Sequence, residues 1–325
     1  RLRREYIHGD LRLGEESRGF VDSGPVLERE YAWKAGLGWF GKHSNLIHWK
    51  KGSWLFLAEL LLDIPLEPGQ PFIRVNCGSC TKCIEACPTD AIVADREVDS
   101  RRCISYLTIE LKGSIPKELR YRMGSWIFGC DICQEVCPWN RKAEPATEPG
   151  YRARPGLDNP SLLDLIQLDR EAFNALFRHN PAKRPKRRGF LRNVAVALGN
   201  SGAQAAVPVL VKALDDEEPL IRGHVAWALG QLGGIESRQA VKRRLAVEED
   251  EEVSRNINWK LQSLEWDNLF NYGKGNRIDF DKLNGIVGIF GKNYSGKSSI
   301  IDSVLYTLFN STSKNERKNL NIINY

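Results

Sequence analysis

Cys77-x-x-Cys80-x-x-Cys83-x-x-x-Cys87-Pro88, then Cys103, then Cys130-x-x-Cys133-x-x-x-Cys137-Pro138: this stretch holds all eight cysteines of the chain. Thiolates are soft metal ligands, and two residues between cysteines let one tight loop aim successive sulfurs at a single centre. Structural zinc uses paired Cys-x-x-Cys knuckles, whereas here a triplet is followed by Cys-Pro and then echoed. Disulfides need an oxidising compartment, and residues 1–16 are charged, with no apolar core of a secretion signal.

The spacing is that of a bacterial two-cluster ferredoxin, in which the fourth cysteine of each run ligates the other cluster. That crossing rule predicts one 4Fe–4S cluster on Cys77, Cys80, Cys83 and Cys137. Cys87, Cys103, Cys130 and Cys133 take the second.

Working outward, 325 residues with 42% hydrophobic and 27% charged content suit a globular protein of two or three domains. No apolar run approaches the roughly 18 residues of a membrane span. Residues 53–65 come nearest, and they contain Glu59 and Asp63. A net charge of +6 permits a nucleic-acid partner without demanding one. The single methionine is Met123, so the chain is expected to be a fragment at its amino end.

Ahead of the cysteines, Gly19-Phe20-Val21 reads as a short strand running into the turn Asp22-Ser23-Gly24-Pro25. Residues 26–35 read as a helix, with Val26, Leu27, Tyr31 and Trp33 apolar. A glycine-rich loop, 36–42, follows. Leu46, Ile47 and residues 54–62 supply strand or buried-helix material, and 65–71 is a linker.

Behind the cysteines, the Pro- and Glu-rich 143–155 reads as a boundary and 161–176 as a helix. Arg178, His179, Lys183, Arg184, Lys186, Arg187 and Arg188 then crowd together. Such a run is either a solvated face or a phosphate-binding one. Asn193-Val-Ala-Val-Ala-Leu-Gly199 is repeated as His224-Val-Ala-Trp-Ala-Leu-Gly230, the pattern of paired helices stacking as a HEAT-type solenoid.

After Ala246 alanine disappears. Gly291-Lys-Asn-Tyr-Ser-Gly296-Lys297-Ser298 is a full Walker A match between an apolar strand, 286–290, and an apolar-periodic helix, 299–309. Gly291 and Gly296 shape a loop whose amides cradle phosphates, Lys297 reaches the terminal phosphates, and Ser298 coordinates magnesium. With Trp266-Asp-Asn-Leu-Phe-Asn-Tyr272 and Arg277-Ile-Asp-Phe280, this tail resembles the start of SMC-like recombination-nuclease ATPases.

The larger resemblance runs from residue 1 to about 253. Val21-Asp-Ser-Gly-Pro-Val-Leu-Glu-Arg29, Ala35-Gly-Leu-Gly-Trp-Phe-Gly-Lys-His43, Gly52-Ser-Trp-Leu-Phe56, Arg102-Cys-Ile-Ser-Tyr-Leu-Thr-Ile-Glu110 and Gly129-Cys-Asp-Ile-Cys-Gln-Glu-Val-Cys-Pro-Trp-Asn140 resemble the epoxyqueuosine reductase family. That family reduces the epoxide of epoxyqueuosine at the tRNA wobble position, using cobalamin and two 4Fe–4S clusters. The resemblance implies that Asp22 is the proton donor, that Ile47, Ala58, Ser105 and Asp131 lie at the cobalamin, and that tRNA is the partner. Arg184, Lys186, Arg187 and Arg188 are the expected tRNA contacts. A ferredoxin or flavodoxin as low-potential electron donor, a monomeric state, cytoplasmic localisation and no membrane complete the expectation.

The expected fold class is α+β. A partial cobalamin-binding α/β domain (1–75) leads to a ferredoxin-like two-cluster domain (76–142). A HEAT-like α-helical domain for tRNA (143–255) and an incomplete P-loop β-α segment (256–325) follow. The competing reading is a nucleotide-binding DNA-repair ATPase fragment fused to an iron–sulfur electron-transfer module.

The segment after Ser298 offers no acidic strand for a Walker B carboxylate, so half of the magnesium site and the water-orienting group are missing. ATP turnover by the chain is therefore expected to be absent, and indistinguishable from that of Lys297→Ala in a phosphate-release assay. Turnover abolished by Lys297→Ala would favour the ATPase reading.

Overall fold

The computed structural model describes residues 18–21, 24–62, 65–74, 76–257, 263–266 and 276–279. The chain divides into two compact units, Arg1–Ile257 and Asn258–Tyr325.

The first unit opens with β1 (Arg18–Phe20), α1 (Glu28–Lys34), β2 (Trp39–Phe40), β3 (Leu46–Ile47) and β4 (Glu59–Leu61). β1 lies antiparallel to β4 with Gly19 opposite Leu60, and β2 to β3 with Trp39 opposite Ile47. Acidic Glu28 and Glu30 in the first turn of α1 and Lys34 in its last suit the helix dipole. The expected apolar residues of this helix divide: Leu27 is 72% and Tyr31 55% exposed, while Val26 and Trp33 are half-buried and Trp33 Nε1 donates to Phe72 C=O at 2.9 Å. Residues 54–62 differ from expectation in the same way. Only Glu59–Leu61 is strand, and Phe56 is 82% exposed. Two-stranded pairings this short offer little surface of their own to bury such side chains against.

What does bury is the other side of this segment. Trp39 and Ile47 are fully enclosed together with Cys137, and Phe72, Cys77 and Trp139 pack around them. The Trp39 ring meets Trp139 edge-on at 4.8 Å between centroids and Phe72 at 5.5 Å. Gly52, at φ +72°, lets the backbone come so close that a Cβ there would sit 2.0 Å from Asn140 Oδ1. The same Oδ1 accepts the Ser53 N–H at 2.6 Å.

Next come α2 (Lys82–Glu85), the hairpin of β5 (Ile92–Ala94) and β6 (Glu97–Val98), α3 (Ile104–Ile109), α4 (Lys117–Arg120) and α5 (Ile132–Glu135). The remainder of the unit is helical: α6 (Leu162–Leu165), α7 (Arg170–Leu176), α8 (Lys186–Asn200), α9 (Val207–Ala213), α10 (Pro219–Leu232), α11 (Gly234–Leu245) and α12 (Glu251–Ile257). The single helix expected over 161–176 is two. Asp169 starts the second by accepting the Ala172 N–H at 2.7 Å, and such a cap fixes extended backbone ahead of a helix.

The repeated segments lie on α8 and α10, which pack along each other and are buried almost throughout. Small residues set their separation. A Cβ on Gly199 would lie 2.9 Å from both Ala228 Cα and the Trp227 ring. α12 crosses α10 and buries Val253. In the second unit, β7 (Ser263–Trp266) and β8 (Asn276–Asp279) pair antiparallel with Leu264 opposite Ile278. The Walker A residues Gly291, Gly296, Lys297 and Ser298 lie outside the described residues.

One buried ion cluster fastens the end of the helical stack. Glu248 has no exposed side-chain surface; it receives Arg222 in a bidentate pair at 2.7 and 2.8 Å and Arg244 at 2.9 Å. The hydrogen bonds from Arg222 bring its pKa down from 4.5 to about 2. A depressed carboxylate pKa stabilises the fold fully above the unfolded value and less as pH falls toward the folded one. Unfolding free energy should therefore drop by about 3 kcal/mol between pH 4.5 and 2 from this group. Glu248→Gln should remove that contribution from the pH profile measured by chemical denaturation.

A cysteine cage and a cationic cleft

The cysteines lie in loops, just before helices, or within the short helices α2 and α5. Cys80 N–H closes a turn on Cys77 C=O at 3.0 Å, and Cys83 lies in α2. Cys103 is the residue before α3, Cys133 lies in α5, and Cys137 precedes a 3-10 turn begun by Pro138. The helices α2 and α5 pack on each other, bringing the two runs together.

Electrostatics reveals which sulfurs face which. Burial pushes the Cys83 thiol up to about 11, with Cys137 and Cys77 adding to it. Cys137 is raised by burial and then by Cys77 and Cys80. Burial pushes Cys130 to about 11, and its sulfur neighbours are Cys103 and Cys87. Cys133, pushed by burial to about 12, feels Cys130, Cys103 and Cys83. Each of these four sulfurs thus has a sulfur neighbour in the other run. Among the described residues no three His, Cys, Asp or Glu side chains converge on a point suited to one metal ion. Crowded thiols that resist ionisation alone suit a larger, cationic iron–sulfur core that stabilises them as thiolates. The Cys87 sulfur already accepts the Ala91 N–H at 3.2 Å.

The second run is braced from the amino-terminal side. Ser53 Oγ donates to Gln134 Oε1 at 2.9 Å and accepts Asn140 Nδ2 at 2.9 Å, and Asn140 Nδ2 also donates to Gln134 C=O at 2.7 Å. The segments of Cys103 and Cys130 are braced from α8. Arg192 and Asn193, both fully buried, reach across to α3 and to the loop before Cys130. Sequence reading passed over this pair; two polar residues opening an otherwise apolar repeat were the available signal.

The basic run divides by its partners. Arg187 is held by Asp216 at 2.5 Å and by Leu168 C=O at 2.8 Å, and Arg184 pairs with Glu110 at 2.7 Å. Lys186, Arg187 and Arg188 line a cleft of about 280 Å³ with Lys183, Arg170 and Phe173, and Glu217 and Glu218 lie on its wall. Lys183 and Lys186 are exposed, and Lys186 stands at the first turn of α8, the positive end of a 15-residue helix. An exposed Arg170–Glu217 pair at 3.0 Å closes one side.

Of the other expected site residues, Asp22 lies outside the described residues. Ile47 has no exposed surface and fills the core beside Cys137. Ala58 and Asp131 are exposed, and Ser105 is half-buried on α3. No helix among the described residues is long and apolar enough to cross a membrane.

Residues 76–140 match the family described as a 4Fe-4S double cluster binding domain, 188–262 match HEAT repeats, and 263–324 match an AAA domain. The epoxyqueuosine reductase of Xanthomonas campestris pv. campestris is 48% identical over 217 residues, 66% of this chain and 61% of that protein. That of Escherichia coli K12 is 48% identical over 223 residues, 69% of this chain and 58% of that protein. The chain thus spans about three-fifths of the curated relatives it matches.

Among solved structures, a selenomethionine-labelled epoxyqueuosine reductase superposes with a TM-score of 0.73 at 34% identity, covering 79% of this chain and 68% of that one. An epoxyqueuosine reductase with an epoxyqueuosine-modified tRNA stem loop gives 0.71 at 35% identity, covering 74% and 64%. With the interleaved cysteines, the helical repeat and this likeness in one chain, the protein belongs to the epoxyqueuosine reductase family.

Proposed function

We propose that the chain carries out the reduction of epoxyqueuosine to queuosine at the wobble position of tRNA. The observation that carries this reading is one helix, α8, with a cationic cleft at its start and the brace of a cysteine cage at its middle. Loss of the epoxide oxygen as water takes two electrons and two protons, so the site needs electron delivery, acid and a grip on RNA.

Cys77, Cys80, Cys83 and Cys137 would hold one 4Fe–4S cluster and Cys87, Cys103, Cys130 and Cys133 the other. The crossed grouping draws support from the sulfur neighbours of Cys83, Cys130 and Cys137. The clusters supply one-electron transfer from a low-potential donor such as ferredoxin or flavodoxin. Cobalamin is the further group that the family implies, and it supplies the reactive metal centre when bound. Leu27, Tyr31, Trp54, Phe56 and Leu60 are exposed apolar side chains, and Ala58 is exposed between Phe56 and Leu60 in sequence; such residues suit the face of a macrocycle. Ser105 and Asp131, next to cysteine ligands, would contact its polar edge, with Ile47 backing the pocket from the core.

Asp22 would hold the proton for the departing oxygen, since an apolar macrocycle beside a carboxyl disfavours its charged form. Lys183, Lys186 and Arg188 would take the tRNA backbone, while Arg184 and Arg187 hold the segment in shape. The protein is read as a cytoplasmic monomer. Its tail would bind nucleotide and magnesium through Lys297 and Ser298. The ATPase alternative rests on that tail alone.

Replacing Lys183, Lys186 and Arg188 with alanine should weaken tRNA binding and lower its salt slope by about 2 to 3. Arg187→Ala should instead lower the unfolding temperature, since it breaks the Asp216 pair. An unchanged salt slope in the triple variant would return the cleft to a solvated surface.

Asp22→Asn should cut single-turnover reduction of epoxyqueuosine-tRNA by prereduced protein about a hundred- to ten-thousand-fold. Iron content and tRNA affinity should stay as in the parent. A rate within a few-fold of the parent would assign the proton to another donor.

A further inference from the structure

We infer that Asn193 and Arg192 of α8 are positioning residues for the second cluster, so that the helical repeat is a structural part of its mount. The inference rests on the crossed cysteine grouping proposed above. α3 begins directly after Cys103 and is six residues long, too short to persist alone. Its carboxyl-terminal carbonyls have no partners within the helix. Arg192 Nη2 supplies one, donating to Leu107 C=O at 2.6 Å, and Asn193 Nδ2 another, donating to Thr108 C=O at 2.8 Å. Arg192 Nη1 holds the exit of the helix through Leu111 C=O at 2.9 Å and Gly113 C=O at 2.6 Å.

The same Asn193 Nδ2 donates to Ile127 C=O at 2.9 Å, three residues before Cys130. Thr108 Oγ1 accepts the Gly129 N–H at 3.0 Å, tying α3 directly to that loop. One carboxamide therefore sets the spacing between the Cys103 segment and the Cys130 segment, which are 27 residues apart in sequence and share one cluster in the proposed grouping. Cys77 and Cys137 of the first group pack instead against Trp39, Phe72 and Trp139. The effect of α8 is accordingly selective.

The test uses the full chain, reconstituted anaerobically, with iron release to a chelator followed by the spectroscopic signal of each cluster. Cys77→Ser, Cys103→Ser and Cys130→Ser assign the signals. Asn193→Asp keeps shape and the acceptor for Arg192 but turns an oxygen toward Thr108 and Ile127. It should speed release from the cluster that Cys130→Ser removes by about 10- to 100-fold and leave the other unchanged. Asn200→Ala breaks bonds of the same kind to Arg120 and Gly124 carbonyls and should alter neither cluster. If Asn193→Asp does not fold, Thr108→Val, which removes the Gly129 link, should show the same selectivity.

Unchanged release from the second cluster overturns the inference. So does equal acceleration of both clusters, or the same effect from Asn200→Ala. If Cys103→Ser and Cys130→Ser erase different signals, the shared-cluster grouping fails and takes the inference with it.

Discussion

A guanidinium buried without a carboxylate is the constraint on which the first unit turns. Arg192 has no exposed surface, and burial, then the nearby Arg120 and Arg188, lowers its pKa to about 10. It stays charged at neutral pH, so its protons must be answered by dipoles. The last carbonyls of α3 are a concentrated source, because a helix collects negative partial charge at that end. Desolvated cation and orphaned carbonyls each cost free energy alone, and together they satisfy one another. The fold can therefore close only when α8 and α3 meet in this register.

Around that junction the remaining polar groups follow the same logic. His224 Nδ1 faces the Leu220 carbonyl and must donate, which leaves Nε2 to accept the Ile115 N–H. Burial, reinforced by Arg120, keeps the ring neutral, as this pattern of bonds requires. Asn200 spans the Arg120 and Gly124 carbonyls. The interface between the cysteine-bearing segment and the helical stack is thus polar at its centre and apolar around it, with Ile115, Leu119, Met123 and Trp227 enclosing the bonds. Such an interface specifies one arrangement, since any slip strands several buried donors at once.

Much of this was legible in the sequence where the signal is local. Cysteine spacing reports loop geometry directly, and the echo of Asn193–Gly199 in His224–Gly230 reports helices that must pack closely, as α8 and α10 do. Long-range facts were not legible. The charge run could not show that Arg184 and Arg187 are already spent on Glu110 and Asp216, because those partners lie 74 and 29 residues away. The outward turn of Leu27, Tyr31 and Phe56 is likewise a property of layers, not of periodicity. Asp169 carried a readable cap signal that the apolar pattern over 161–176 masked.

The meeting of α3 with α8 bears on modularity. Ferredoxin-type segments look like portable electron carriers, ready to be cut at a proline-rich boundary and moved between proteins. Excised at residue 143, this one would leave the carbonyls of Leu107, Thr108, Leu111, Gly113 and Ile127 without their donors. Water would take the donors' place, so each bond lost costs its net value of about 0.5 to 1.5 kcal/mol, and the apolar cluster shared by Ile104, Leu107, Ile115 and the helical stack would be exposed with it. The cluster-bearing segment and the helical repeat are two domains by sequence pattern and one compact unit by contact, so a cut between them divides a single fold.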